Sequence, residues 1–230
     1  STSYGAPATP PSGPSTPGPS GASRPTAGTA IGVSGAAGGG SLSSGATVSA
    51  NSTSTAPNAG NAGDILVKTN ALRMSGGATV TAASTGSGNA GSVTIQGINS
   101  PANSVLMEGA GSGLFTNTED RGRGGDIVID TRALTMQNGG TISAATSGTG
   151  EAATGGNIRL TASESVDLRS NASVSARSTG DADAGNISIN AGNRFEARNS
   201  SVTARSDNAG GGNIEINALD QIRLVNSQVN

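Results

Sequence analysis

A five-residue pattern returns six times along this chain. GDILV from Gly63, GSVTI from Gly91, GDIVI from Gly125, GNIRL from Gly156, GNISI from Gly185 and GNIEI from Gly212 all read glycine, small polar residue, aliphatic, any residue, aliphatic. Successive glycines are 28, 34, 31, 29 and 27 residues apart. Recurrence at such a period marks stacked units that share one elongated core. A second alternating pair follows every pattern except the one at Gly91: Leu72 and Met74, Leu134 and Met136, Val166 and Leu168, Phe195 and Ala197, Ile222 and Leu224. A third comes next: Val80 with Ala82, Ile142 with Ala144, Val174 with Ala176, Val202 with Ala204, and Val229 near the last residue.

Apolar residues at every second position lie on one face of a strand, whereas a helix needs spacings of three and four. Bends such as QNGG and RSN separate the pairs. Three short strands with their apolar sides toward a common axis make one coil of a parallel β-helix. The expected inward residues are Ile65, Val67, Leu72, Met74, Val80, Ile127, Ile129, Leu134, Met136, Ile142, Ile158, Leu160, Val166, Leu168, Val174, Ile187, Ile189, Phe195, Val202, Ile214, Ile216, Ile222, Leu224 and Val229. Loops of unequal length, such as TSGTGEAATGG and RSDNAGG, return the chain from the third strand to the next coil. About seven coils would stack to roughly 30 to 35 Å at ~4.8 Å each.

Two stretches fit the repeat less well. The segment from Ile95 to Gly125 carries Pro101 in an enlarged bend, and Val105, Met107, Leu114 and Phe115 are its expected inward residues. LSSGATVSA from Leu42 matches MSGGATVTA from Met74, but no strands are evident ahead of it. The expected division is therefore a tail over residues 1–40 and repeats over 41–230. Seven of the nine prolines fall in the first 25 residues, which favours an extended linker, a stalk or a substrate for O-glycosylation. Were it ordered, the tail would lie along a groove on a neighbouring subunit.

Composition limits the chemistry. The chain has 230 residues, with 37 glycines, no Cys, Trp or His, one Tyr and two Phe, so its core must be thin and aliphatic. A net charge of −2 and a single lysine, Lys68, leave no footprint for nucleic acid. No apolar run is long enough for a membrane-spanning helix, and residues from Ser1 onward lack the charged-then-apolar layout of a signal peptide, so that any signal is expected to have been removed. Gly86, Gly88 and Gly91 match the dinucleotide fingerprint, but a strand follows them where a helix N-terminus is needed, so chance is the better account. Asp181 and Asp183 supply too few oxygens for calcium, and no cofactor or metal is expected. The N-x-[ST] matches at Asn51, Asn171, Asn186 and Asn199 follow from composition.

Glu119, Asp120, Arg121 and Arg123 form the one dense charged cluster and are the candidate binding residues. Without histidine or tryptophan, general bases and sugar-stacking platforms are scarce, and the chain reads as non-catalytic. Asn138, Asn171, Asn199 and Asn226 occupy similar bends, where stacked amides would bond from coil to coil.

GDILVKTNALRMSGGATVTAASTGSGNAGSVTI and GGNIRLTASESVDLRSNASVSARSTGDADAGNISI resemble the repeat region of filamentous-haemagglutinin-like large exoproteins, particularly cyanobacterial ones. The resemblance spans Leu42 to Asn230. It implies a right-handed single-stranded β-helix, export across an outer membrane by two-partner secretion, and adhesion or surface contact. That family's N-terminal secretion domain is not recognisable here. Three functions follow in order: a structural module assembling head to tail into an extracellular fibre or forming a shaft, an adhesin segment with a cell-surface or glycan ligand, and a polysaccharide-active enzyme using Glu119 or Asp120. The chain stops inside a third strand, so both ends are expected to present unpaired strand edges to another copy.

Overall fold

The computed structural model describes residues 31–34, 39–56, 59–99, 101–149 and 153–230. Residues 1–30, the greater part of the expected tail, lie outside it. The described residues form a parallel β-solenoid without helices. Strands stack in three positions. The first holds Ile31–Ser34, Ile65–Lys68, Val93–Gln96, Ile187–Asn190 and Ile214–Asn217; the second holds Gly40–Leu42, Ala71–Ser75, Ala102–Glu108, Arg194–Arg198 and Gln221–Val225. In the fourth and fifth coils the two positions fuse into single strands, Ile127–Gln137 and Ile158–Arg169, with a register shift between Thr131 and Ala133 at the bend. The third position is a separate seven-stranded sheet of Thr47–Ser49, Thr79–Thr81, Gly113–Phe115, Thr141–Ser143, Ser173–Ser175, Ser201–Thr203 and Gln228–Val229.

Parallel pairing in register turns the repeat into interior columns. Ile65, Val93, Ile127, Ile158, Ile187 and Ile214 form one, and Val67, Ile95, Ile129, Leu160, Ile189 and Ile216 the next. Leu72, Val105, Leu134, Val166, Phe195 and Ile222 continue around the coil, followed by Met74, Met107, Met136, Leu168, Ala197 and Leu224. Val80, Leu114, Ile142, Val174, Val202 and Val229 complete the lining. Where Phe195 enlarges one column, Ala197 takes the place of leucine in its neighbour, so the cross-section keeps its volume.

Three expectations are corrected. Ile214 and Ile216 are only partly buried, and Ile222, Leu224 and Val229 are exposed, because the seventh coil has a neighbour on one side only. Phe115 does not point inward: Leu114 does, and alternation sends Phe115 to the outer face, where its ring lies over Gly113. The first coil begins with Ile31–Ser34, paired with Ile65–Lys68, ahead of residue 41. The glycines at 86, 88 and 91 do lead into a strand, Val93–Gln96, and not a helix, and their role is steric, because a Cβ on each would overlap backbone of the preceding coil.

The ladder expected along Asn138, Asn171, Asn199 and Asn226 also lies elsewhere. Those residues take positive φ of 54°, 65°, 50° and 49°, a conformation asparagine tolerates, and they join successive coils through backbone bonds such as Asn171 N–H to the Asn199 carbonyl at 2.6 Å. Side-chain oxygens bond from coil to coil at the small polar position of the repeat instead. Asp64 Oδ1 accepts from Ser92 N–H (2.8 Å), Asp126 Oδ1 from Asn157 N–H (2.8 Å), Asn157 Oδ1 from Asn186 N–H (3.0 Å) and Asn186 Oδ1 from Asn213 N–H (2.8 Å). The preceding glycine closes each coil by donating to the residue after its third strand, as Gly156 N–H does to the Ala144 carbonyl at 3.0 Å.

Candidate functional site

Glu119, Asp120, Arg121 and Arg123 sit on the connection between the third and fourth coils. Stacking fixes its backbone. Glu119 N–H donates to the Ser84 carbonyl at 3.1 Å, Ser147 Oγ donates to the Glu119 carbonyl at 3.2 Å, and Arg123 N–H donates to Asn89 Oδ1 at 2.9 Å. Glu119, Arg121 and Arg123 are exposed, and Asp120 is half-buried. Arg123 borders a shallow open groove of about 280 Å³ with Asn89, Asp126 and Asn157.

The structure assembles a different charged cluster on the outer face of the second strands of coils five to seven. Register places Asp167 beside Glu196 and Glu196 beside Arg223, while Arg169 lies beside Arg198. Like charges directly opposite one another on adjacent strands repel. Pairing across columns offsets this. Arg194 reaches both oxygens of Asp167 at 3.0 and 3.2 Å, and Arg169 reaches Asp167 at 3.2 Å. Arg198 bonds Glu196 at 2.6 Å, and Arg223 approaches it at 3.4 Å.

Exposure divides sharply between the signs. The Asp167 and Glu196 side chains retain 9% and 4% of their accessible surface, whereas the four arginines retain 42 to 50%. The carboxylates thus form a floor beneath a guanidinium surface. Hydrogen bonding from Arg198 holds the Glu196 carboxyl below its ordinary value against the opposing effect of burial, with attraction from Arg198, Arg194 and Arg223 adding to it. A smaller cluster stands on the connections beyond the third strands. There Asp207 bonds Arg177 at 2.6 Å and Arg205 at 2.8 Å and is lowered chiefly by the Arg177 bond.

Sequence reasoning missed the larger cluster because its residues lie 27 to 29 positions apart, and only the coil register joins them. The signal was present in RFEAR from Arg194, where three charged residues alternate with Phe195 and Ala197.

Among the described residues, no group of three or more Asp or Glu side chains is placed to hold a metal ion, and no helix is long and apolar enough to cross a membrane. The fold defines the class, a parallel β-solenoid. No family model, curated protein or solved structure matches the chain.

Proposed function

We propose that this chain is a structural module, a stretch of solenoid shaft belonging to an exported surface or fibre protein. The observation that carries the reading is the repeat itself: interior columns such as Ile65, Val93, Ile127, Ile158, Ile187 and Ile214 run in register from coil to coil, so that each coil serves chiefly to seat the next. The resemblance to filamentous-haemagglutinin-like exoproteins supports export and a surface location, and with them a non-catalytic role.

Sedimentation and electron microscopy over a range of concentrations test this directly. Rod-like end-to-end oligomers are expected, and Leu224→Lys should abolish them. Appending a capping coil with polar residues at the inward positions of its outer edge should instead raise the melting temperature and suppress oligomers. A chain that stays monomeric at high concentration and gains nothing from an added coil would sink the reading. Protease shaving of intact cells tests location: the protein is expected to be digested, and its survival argues against export. Attachment to surfaces is the second reading, favoured by the arginine surface.

A further inference from the structure

We propose that the guanidinium surface of coils five to seven binds a carboxylate-bearing polysaccharide of the uronate type. Four observations lead there. First, Arg169, Arg194, Arg198 and Arg223 outnumber Asp167 and Glu196, so the strand face carries an excess of two positive charges, four minus two, in a chain of net charge −2. At its margins Glu164 is neutralised by Arg132, and Asp220 stands on the bend leading into the seventh coil's second strand. Nonspecific attraction to polyanions is therefore small, and any binding is local to this surface.

Second, the exposed groups are all of one sign. The two carboxylates are almost wholly covered, while each arginine is near half exposed. Each guanidinium has five N–H donors and meets only one or two carboxylates here, so donors remain for an outside oxyanion.

Third, register sets like charges side by side, Asp167 with Glu196 and Arg169 with Arg198. The arginines compensate the two carboxylates, and an anion lying across Arg169 and Arg198 would compensate the arginines in turn.

Fourth, geometry favours carboxylate in a polymer. A single nitrogen of Arg194, Nη2, lies within reach of both Asp167 oxygens, and a guanidinium has further N–H groups that can meet a second planar carboxylate as a fork. Arg169 and Arg198 are in register on successive coils about 4.8 Å apart, and Arg223 lies on the next coil two residues aside, so a ligand with repeating charges along the solenoid axis can span them. A polymer with one carboxylate per sugar supplies that repeat, and a free monosaccharide does not. The hydroxyl of Ser165, which donates to Asp167 at 3.3 Å and can still accept, and the amide of Gln221 lie in register with Arg194 on either side and offer neutral partners for sugar hydroxyls.

This inference stands independently of head-to-tail assembly, since monomer and fibre expose the same surface. Its test is calorimetric titration of the intact chain with polygalacturonate at low and physiological salt, with dextran and dextran sulfate as parallel arms. Polygalacturonate is expected to bind, dextran not. The double substitution Arg194→Gln with Arg223→Gln should weaken binding by about tenfold or more, the loss of one or two charge-assisted hydrogen bonds. Arg132→Gln, which removes a charge at the bend, should change it less than twofold. Because the double variant exposes Glu196, Arg169→Lys with Arg198→Lys is the second probe. It keeps the charge and loses the fork, and should still bind several-fold more weakly. Absence of binding, binding indifferent to both double variants, or tighter binding of dextran sulfate overturns the proposal.

Discussion

Two corners of each coil solve the same problem, turning the chain while leaving no backbone group unsatisfied, in opposite ways. At the closing corner, where Gly91, Gly125, Gly156, Gly185 and Gly212 stack, an added Cβ would overlap the carbonyl oxygen of the glycine one coil below. At the left-handed corner the constraint is torsional rather than steric: Gly77, with φ of 81°, has nothing within 4 Å of its virtual Cβ. Ser44, Asn138, Asn171 and Asn199 occupy the second corner, whereas all five aligned positions of the first are glycine. The lesson is that one residue type is invariant where backbones approach and interchangeable where only φ matters.

Gly156→Ala should break the comparison most forcibly. The added methyl meets the Gly125 carbonyl and its carbon, both backbone, so neither can swing aside. A loss of about 3 kcal/mol or more is expected by analogy with overpacked sites. Equilibrium urea denaturation measures it, and a loss under about 1 kcal/mol would show that neighbouring coils separate easily. The amide next to it ranks second. Asn157 accepts from Asn186 N–H at 3.0 Å and donates to Asp126 Oδ1 at 3.2 Å, so Asn157→Ala leaves partners on both adjacent coils and should cost about 1 to 3 kcal/mol. Hydrogen exchange at Asn186 should accelerate with it.

The left-handed corner should respond less. Asn199→Ala keeps its backbone bonds, including Asn199 N–H to the Val225 carbonyl at 2.9 Å, but places alanine at φ near 50°. About 1 kcal/mol is expected, and Asn199→Gly should stay within a few tenths. Equal losses for the two would mean that the asparagine side chain does more here than accommodate the torsion.

These contrasts also mark what could be read in advance. Alternation located nearly every interior residue of coils two to six, because each inward position recurs in register and period two leaves no second choice. It failed at Leu114 and Phe115, two adjacent apolar residues of which only one can face inward. The ladder was overlooked because its residues were seen as the polar half of a strand pattern, although their position after the stacked glycine places their oxygens beside the next coil's N–H. Asp167 and Glu196 were invisible for another reason. A lone acid at an outward position reads as solvated, and what buries these two is arginine from their own and adjacent coils.

The smallest effect expected is on acidification, and it separates the arginine surface from both corners. Glu196 is lowered from the ordinary 4.5, so the stability it contributes is fully present above that value and is lost as pH falls through its lower folded value. Melting temperature should therefore be insensitive to this group from neutrality down to about pH 5 and should decline below about pH 4.5. Glu196→Gln removes the carboxylate and leaves Arg198 and Arg223 without it, so the variant should melt lower near neutrality and follow a flatter acid limb than the parent. Asn199→Gly should reproduce the parent's limb unchanged. The half-exposed guanidiniums let salt screen the attraction, so 0.5 M sodium chloride should shrink the difference between parent and Glu196→Gln while leaving the cost of Gly156→Ala intact. A salt effect of equal size on both variants would mean that ionic strength acts on the whole solenoid, and the distinction between a charged surface and sterically fixed corners would fall.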